Sequence, residues 1–425
     1  MASQQTSTQA PEEQVANNSK SGAIVRYAIV AILVVFFLKP YFVKEKEAPL
    51  AAQTFRIAGS TMGTTWEAAV AASPSYIVEL NSKGTEDAEN VEASTEPKVR
   101  SCEDFLANVV QKRLDRIDAI ASTYKYDSEI SKFNRSESTE WFEVSKELAS
   151  IAQTALEVAQ ITGGAFDPTV APIVNMYRFG PDKSPLAELP TDDAVAQAMT
   201  NVGYDKLEVR LEPTPALRKK TPGLTVDFSG VAKGAAVDFV GEAFESLGLN
   251  DYMIEVGGEI RVKGKKVDAF DGTSSLWTLG VQTPEKTAPN SAPDTLRAVR
   301  FPAEVTGALA TSGDYNNYLQ VGSVRFSHIV DPRSGKPTEI IDAKSEESDE
   351  KLGSVTIVSL DCAKFSCGKI DALATAFYVL GEKDGLALAD KLGLPVLYVF
   401  REKDQTFREA PSKAFAEKVD SSKFD

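Results

Sequence analysis

An aspartate and a threonine four positions apart, Asp371 and Thr375, are well suited to bind a metal ion. On an α-helix, residues i and i+4 face the same way, so the carboxylate and the hydroxyl lie one turn apart. Both are hard oxygen ligands, and few such ligands are needed for Mg²⁺ when phosphates and water molecules fill its other positions. The alternative is an aspartate that caps a helix and a threonine that is buried. The pair indicates a candidate magnesium site.

A glycine-bounded segment, Val-Asp-Phe-Ser-Gly-Val-Ala-Lys-Gly at 226–234, is suited to bind a phosphate. A strand end, a Ser-Gly turn and a helix start would present backbone N–H groups and the positive end of a helix dipole to an anion. Lys233 falls in the first turn of that helix, where a cation is unfavourable for the dipole. This mismatch is expected if the lysine faces an anion, and the alternative is a lysine that faces solvent.

A second segment, Gly-Gly-Ala-Phe-Asp-Pro at 163–168, combines an aromatic and an acidic side chain directly after a helix stop. Pro168 restricts Asp167 to an extended conformation, which we expect to aim its carboxylate away from the path of the chain. Phe166 and Asp167 together offer an apolar platform and a fixed polar contact, the two features that a small-molecule site needs. The alternative is a turn with a core phenylalanine.

The single histidine, His328, lies in Phe-Ser-His-Ile-Val-Asp-Pro-Arg-Ser-Gly-Lys-Pro at 326–337. It could accept a proton near neutral pH, contact a flavin, or act as a structural donor that locks the turn from Asp331 to Gly335. Asp, Pro and Gly at these positions are typical of a turn.

These motifs, together with Gly-Lys-Ile-Asp-Ala-Leu-Ala-Thr at 368–375 and in this order, resemble the ApbE family, the FAD:protein FMN transferases. Members of that family use Mg²⁺ to move FMN from FAD onto a Ser or Thr of a target protein. The resemblance implies an α+β fold, related to the T-fold, with antiparallel or mixed sheets and packed helices.

The resemblance also implies roles for individual residues. Mg²⁺ would be held by Asp371, Thr375 and the backbone carbonyl of Gly230. The FAD site would contain Met62, Tyr124, Ala165, Phe166, Asp167, Asp227 and Lys233. His328 and Asp227 are the candidates for the base that takes the hydroxyl proton. Family members commonly have Asn or Asp where this chain has Glu255 and Glu259, so we assign these two glutamates no role.

The implied reaction is attack by a target hydroxyl on the FMN-side phosphorus of FAD, with release of AMP. Two alternatives remain open: hydrolysis of FAD to FMN and AMP at the same site, and a non-catalytic flavin-binding protein at the membrane surface. The acceptor is expected to be a membrane redox subunit.

Composition excludes several other classes. The net charge of −15 argues against nucleic acid as a partner, because the surface would repel it. Three cysteines and one histidine exclude a Cys/His zinc cage within one chain. Cys362 and Cys367 could pair if local geometry allows it, whereas buried free thiols are the alternative.

The N-terminus carries a location signal. The apolar stretch that ends at Val43 is about long enough for one membrane-spanning helix. We interpret residues 23–43 as an uncleaved transmembrane anchor, with the catalytic domain extracytoplasmic on the periplasmic side of the inner membrane; the alternative is a cleaved signal peptide.

The remaining patterns predict the elements that position these motifs. Apolar periodicity predicts helices at 145–161, 232–247, 369–380 and 383–392, and strands at 252–256 and 259–263. Strands joined by short turns favour an α+β fold over a doubly wound sheet. The predicted organisation is a polar tail (1–22), the anchor (23–43), a linker (44–53), the ApbE-like domain (54–402) with an acidic, solvated insertion (81–100), and a C-terminal tail (403–425).

Overall fold

The structure is a computed structural model, and it describes residues 51–86, 102–268, 270–285, 294–313, 318–338, 340–342, 350–404 and 406–423. The predicted polar tail, the predicted anchor at 23–43 and most of the predicted linker lie outside these residues. Among the helices that are described, none is both long enough and apolar enough to cross a membrane.

An antiparallel sheet of eight strands, in the order β1-β2-β6-β7-β12-β18-β19-β20, forms the centre of the domain. The strands are β1 (Gln53–Thr61), β2 (Thr64–Ala72), β3 (Phe142–Glu143), β4 (Leu207–Arg210), β5 (Ala216–Lys219), β6 (Tyr252–Val256), β7 (Glu259–Lys263), β8 (Lys265–Val267), β9 (Ser274–Leu276), β10 (Thr278–Gln282), β11 (Thr295–Arg300), β12 (Thr306–Gly313), β13 (Tyr318–Val321), β14 (Val324–Ser327), β15 (Val330–Asp331), β16 (Lys336–Pro337), β17 (Ile340–Asp342), β18 (Glu350–Ser359), β19 (Val396–Glu402), β20 (Phe407–Pro411) and β21 (Asp420–Lys423). The other strands form small sheets: β10-β11-β21, β13-β14-β17, β3-β5-β4, β15-β16 and β8-β9.

The helices are α1 (Pro74–Glu86), α2 (Cys102–Ala121), α3 (Glu129–Arg135), α4 (Lys146–Ile161), α5 (Ala171–Met176), α6 (Asp192–Met199), α7 (Ser229–Ser246), α8 (Cys367–Leu392) and α9 (Lys413–Lys418). Two caps explain where α4 and α8 begin, because Ser145 accepts a hydrogen bond from the N–H of Leu148 and Ser366 accepts one from that of Lys369. Gly381, with φ 72° and ψ 178°, divides α8 into two helical parts.

Each face of the central sheet has its own apolar core, because side chains along a strand alternate between faces. Ile254 of β6 packs with buried residues of α2, α4, α7 and α8 on one face. On the other face, Val262 of β7 packs with Leu279 and Val299 of the β10-β11-β21 sheet. A third core joins α5 and α6 to β14. The face that carries α7 and α8 is the one that positions the candidate metal site.

These observations confirm the predicted α+β class and most of the predicted elements. Strands β6 and β7 have the predicted bounds, and α4 ends before Gly163 and Gly164, both with positive φ. Helix α7 begins at Ser229, three residues before the predicted start. The two helices predicted at 369–380 and 383–392 are the two parts of α8.

Two predicted boundaries are wrong. Residues 403–425 do not form a tail in their described part, because Phe407–Pro411 pairs with β19 and extends the central sheet, and Asp420–Lys423 pairs with β11. Residues 81–86, the start of the predicted solvated insertion, continue helix α1 to Glu86. The acidic composition gave no sign of this helix, and residues 87–100 lie outside the described part of the chain.

Candidate active site

The three predicted metal ligands meet where helices α7 and α8 cross. Asp371 is 3% exposed, and its Oδ2 accepts a hydrogen bond from the N–H of Gly234 at 3.0 Å. A Cβ atom placed on Gly230 would lie only 3.6 Å from Thr375 Oγ1. The hydroxyl of Thr375 also lies 3.2 Å from that of Ser312 on β12. The structure therefore brings Gly230, Asp371 and Thr375 together, as the sequence predicted.

The contact between Asp371 and Gly234 bears on the carbonyl of Gly230. In a regular α-helix the N–H of residue 234 donates to the carbonyl of residue 230. Here the carboxylate of Asp371 competes for that N–H. The hydrogen bond from the N–H of Gly234 to the carbonyl of Gly230 is therefore weakened. A carbonyl, a carboxylate and a hydroxyl are the oxygen donors that Mg²⁺ favours. Within the described residues, no group of three or more His, Cys, Asp or Glu side chains could hold a metal.

The close packing of α7 on α8 depends on small residues. A Cβ atom on Gly234 would lie 2.4 Å from the backbone oxygen of Cys367, and one on Gly368 would lie 3.0 Å from the N of Ala235. The first distance is shorter than a Cβ atom tolerates against backbone, and the second is tight. Glycine at these positions lets the helices approach until Asp371 reaches the backbone of α7.

Burial and nearby charges set the ionisation of Asp371. Burial raises the pKa of this carboxyl above its usual range, while the ammonium of Lys233 and the N–H of Gly234 oppose the rise. A bound cation would favour the charged form further.

Lys233 faces a carboxylate, as its position in the helix suggested it should face an anion. Its ammonium forms an ion pair with Glu259 on β7, whose side chain is 2% exposed. Burial lowers the pKa of Lys233, but Glu259 and Asp371 outweigh this effect and raise it above the usual value. The assignment of no role to Glu259 in the sequence missed this contact.

Two hairpin turns lie beside Lys233. Met62 and Gly63 connect β1 to β2 with φ of 48° and 75°, so the predicted flavin contact Met62 has a left-handed backbone that is unusual for a residue with a side chain. The N–H of Gly257 donates to the carbonyl of Thr65, which joins the β6-β7 turn to the start of β2. The turns thus place Met62 on the Lys233 side of the site.

The 163–168 segment contacts the same site through Phe166. A Cβ atom on Gly230 would lie 3.1 Å from Phe166 Cε2, and the Phe166 ring is almost fully buried. Ala165 is fully buried. The N–H of Asp227 donates to the carbonyl of Pro168 at 2.7 Å, so this segment and the start of α7 are held together.

Asp167 has the extended backbone that Pro168 predicted, with φ −148° and ψ 116°. Its carboxylate, however, turns back to the chain instead of pointing away. Oδ1 accepts hydrogen bonds from the N–H and the hydroxyl of Thr169, and Oδ2 accepts one from the N–H of Tyr204. Burial raises the pKa of Asp167, and these hydrogen bonds oppose the rise.

Asp227 is half-buried, and its Oδ1 accepts a hydrogen bond from the N–H of Ser229 at 2.8 Å. This contact forms an Asx turn directly before the first residue of α7. It also holds a carboxylate three residues from Gly230.

Tyr124 and His328 meet at Phe179. The hydroxyl of Tyr124 donates to the carbonyl of Phe179 at 3.2 Å, while its ring is 60% exposed. The imidazole of His328 packs edge-on against the ring of Phe179, with 6.2 Å between ring centroids. The predicted turn after His328 is confirmed, because the N–H of Gly335 donates to the carbonyl of Asp331 at 2.8 Å. Phe179 is a contact that the sequence analysis missed.

The three cysteines do not pair with one another. Cys102, Cys362 and Cys367 are free thiols, and the last two are buried. Burial raises the pKa of Cys362 to about 12.

Comparison with known proteins agrees with this geometry. Residues 62–398 match the family model of the ApbE family. The chain is 31% identical over 364 residues to the FAD:protein FMN transferase of Vibrio cholerae, covering 86% of this chain and 92% of that protein. It is 34% identical over 309 residues to the FAD:protein FMN transferase of Haemophilus influenzae, covering 72% and 81%.

Solved structures give the same result. The flavin transferase ApbE from Vibrio cholerae superposes with a TM-score of 0.64 at 30% identity, covering 86% of this chain and 99% of that chain. The apo form of the Pseudomonas stutzeri flavinyl transferase ApbE gives a TM-score of 0.65 at 27% identity, covering 87% and 97%.

Proposed function

This chain belongs to the ApbE family, and from that premise we propose that it is an FAD:protein FMN transferase that uses Mg²⁺ and modifies a Ser or Thr hydroxyl. The observation that carries the proposal is the meeting of Gly230, Asp371 and Thr375 at the crossing of α7 and α8. These three residues would hold the metal, and a bound Mg²⁺ would neutralise charge on the pyrophosphate of FAD.

The proposed reaction breaks the phosphoanhydride bond of FAD and forms a phosphate ester bond to the acceptor. The acceptor hydroxyl oxygen forms a bond to the FMN-side phosphorus of FAD, and the bond from that phosphorus to the bridging oxygen breaks. AMP leaves with the bridging oxygen, and the hydroxyl proton passes to a base of the protein. The positive end of the α7 dipole would add positive field to the phosphate.

Two residues are candidates for the base. The hydrogen bond from Ser229 holds Asp227 close to Gly230, while leaving its second oxygen able to accept a proton. His328 packs against the ring of Phe179, and an imidazole can accept a proton from a hydroxyl. Because Asp227 lies on the same turn as a proposed metal ligand, we propose Asp227 as the base and His328 as a contact to the flavin.

The test uses FAD, Mg²⁺ and matched peptides that carry Ser, Thr or Ala at one position. Transfer predicts flavin fluorescence that stays with the Ser or Thr peptide after denaturation, and one AMP for each labelled peptide. FMN and AMP without labelled peptide would instead support hydrolysis of FAD. Binding of FAD without either product would support a flavin carrier.

We propose further that residues 23–43 anchor the chain, that the catalytic domain is on the periplasmic side of the inner membrane, and that the acceptor is a membrane redox subunit. The apolar composition of residues 23–43 supports this proposal. Protein that stays in the membrane pellet after alkaline extraction, and that is cleaved by protease in spheroplasts, is the expected result. Protein released without the anchor would contradict it.

A further inference from the structure

Two buried carboxylates lie near Lys233, because one forms an ion pair with it and the other contacts the backbone of the next residue, Gly234. The ammonium of Lys233 forms an ion pair with Glu259, while Asp371 accepts a hydrogen bond from the backbone of Gly234. Both carboxylates are nearly fully buried, at 2% and 3% exposure. Because a buried charge without a partner is costly, each carboxylate competes for the ammonium.

The β6-β7 hairpin determines which of the two carboxylates pairs with the ammonium of Lys233. Gly257 has φ of 58°, and a Cβ atom there would lie 3.2 Å from Lys233 Cδ and 2.9 Å from Thr64 Cγ2. The turn therefore packs on the aliphatic stem of the lysine. Two residues later, Glu259 contacts the ammonium. One hairpin thus holds both the stem and the charged end of Lys233.

An ammonium that paired with Asp371 would occupy the oxygen that a metal needs. We infer that Glu259 is a positioning residue, which holds Lys233 away from Asp371 so that this carboxylate stays available to a divalent cation. The inference rests on the proposed metal site. It explains why a buried carboxylate that is no metal ligand lies on the strand facing that site.

Direct binding of Mn²⁺ to the full-length protein tests the inference without any turnover, by electron paramagnetic resonance of the free ion. Glu259→Gln should weaken Mn²⁺ binding about 10- to 100-fold, the usual effect of losing a partner that orients a metal ligand. Glu259→Asp keeps the charge and should retain most of the affinity. Thermal unfolding of each variant verifies that the protein is folded.

A double-mutant cycle with Lys233→Met identifies the route of the effect. If Glu259 acts through Lys233, Glu259→Gln should change Mn²⁺ affinity by less than about twofold once the lysine is absent. If Glu259→Gln lowered Mn²⁺ affinity equally with and without Lys233, the inference would be overturned, because Glu259 would then act only through its own charge. Unchanged affinity in the single Glu259→Gln variant would also overturn it. A parent protein that binds no Mn²⁺, with or without FAD, would instead remove the metal site itself and the inference with it.

Discussion

The N–H of Gly234 donates a hydrogen bond to Asp371 Oδ2 at 3.0 Å, and this contact ties the carboxylate of one helix to the backbone of another. This contact lets the carboxylate of Asp371 compete with the carbonyl of Gly230 for the N–H of Gly234. The packing of α7 against α8 therefore matters for the proposed metal site, because the separation of the helices sets the distance between the proposed metal ligands.

Asp371→Asn should abolish metal-dependent transfer while the protein stays folded. The amide oxygen can still accept from Gly234, but it lacks the charge that binds Mg²⁺. We expect activity to fall at least about 100-fold. Loss of a residue that only orients a metal ligand commonly lowers metal affinity or activity about 10- to 100-fold, and Asp371 is itself a proposed ligand. Labelling of the acceptor peptide at several Mg²⁺ concentrations measures this. Asp384→Asn, at an exposed position of the same helix, is the control, and full activity of Asp371→Asn would remove the metal assignment.

Gly234→Ala should destabilise the fold by separating α7 from α8. The added Cβ would lie 2.4 Å from the carbonyl oxygen of Cys367, which is backbone and cannot rotate away. Overpacking of this kind costs about 1–3 kcal/mol. The free energy of unfolding in urea is the measurement, with Glu242→Ala at an exposed position of α7 as the control. Equal stability of both variants would mean that the helices can move apart freely.

Local signals in the sequence were enough to predict most of the elements. Ser145 caps α4 at the start of the predicted helix, and the turns after β1 and β6 fall where Gly63, Gly257 and Gly258 supply positive φ. The placement of Asp371 and Thr375 on one face of a helix was predictable for the same reason, because the two residues are one helical turn apart. Each of these features depends on residues that are close in the sequence.

Contacts between distant residues were not predictable in this way. Nothing near Glu259 in the chain indicates that Lys233 will meet it, and nothing near Tyr124 indicates Phe179. The pairing of Phe407–Pro411 with β19 was likewise not predictable, because it depends on β19 having one edge that no other strand of the central sheet occupies. Asp167 shows the converse, since its backbone was predicted and its hydrogen bond to Tyr204 was not.

Tyr124 should bind flavin through its ring and not through its hydroxyl. The hydroxyl is already engaged with the carbonyl of Phe179, while the ring is exposed. Tyr124→Ala should therefore weaken FAD binding about 3- to 10-fold, from the loss of about 0.5–1.5 kcal/mol of aromatic contact. Tyr124→Phe should bind FAD nearly as well as the parent.

Quenching of FAD fluorescence measures both variants. Tyr126→Ala provides a matched control, because Tyr126 is also exposed and its ring is covered by Arg135 at 3.7 Å. A similar loss for Tyr126→Ala would show that the effect comes from the loop and not from a flavin contact.

Cys362 and Cys367 should resist alkylation in the folded protein at pH 8. Burial raises the pKa of Cys362 to about 12 and that of Cys367 well above its usual value, so little reactive thiolate is present. Mass spectrometry after iodoacetamide treatment should find both residues unmodified, and all three cysteines modified after unfolding without reductant. Failure of Cys362 and Cys367 to react in the unfolded chain would reveal a disulfide between them.

Asp167 should make the stability of the protein depend on pH. Burial raises the pKa of this carboxyl above its usual value of 3.8 in the folded state. Between pH 3.8 and the pKa of the folded state, the folded protein therefore binds more protons than the unfolded chain. The free energy of unfolding of the parent therefore falls as the pH rises through this interval, up to the pKa of the folded state. Asp167→Asn does not titrate and lacks this dependence. Urea unfolding at pH 4, 5, 6 and 7 should thus give a difference, parent minus variant, that becomes smaller as the pH rises. A difference that grows with pH would mean that the hydrogen bonds from Thr169 and Tyr204 outweigh burial and stabilise the charged form.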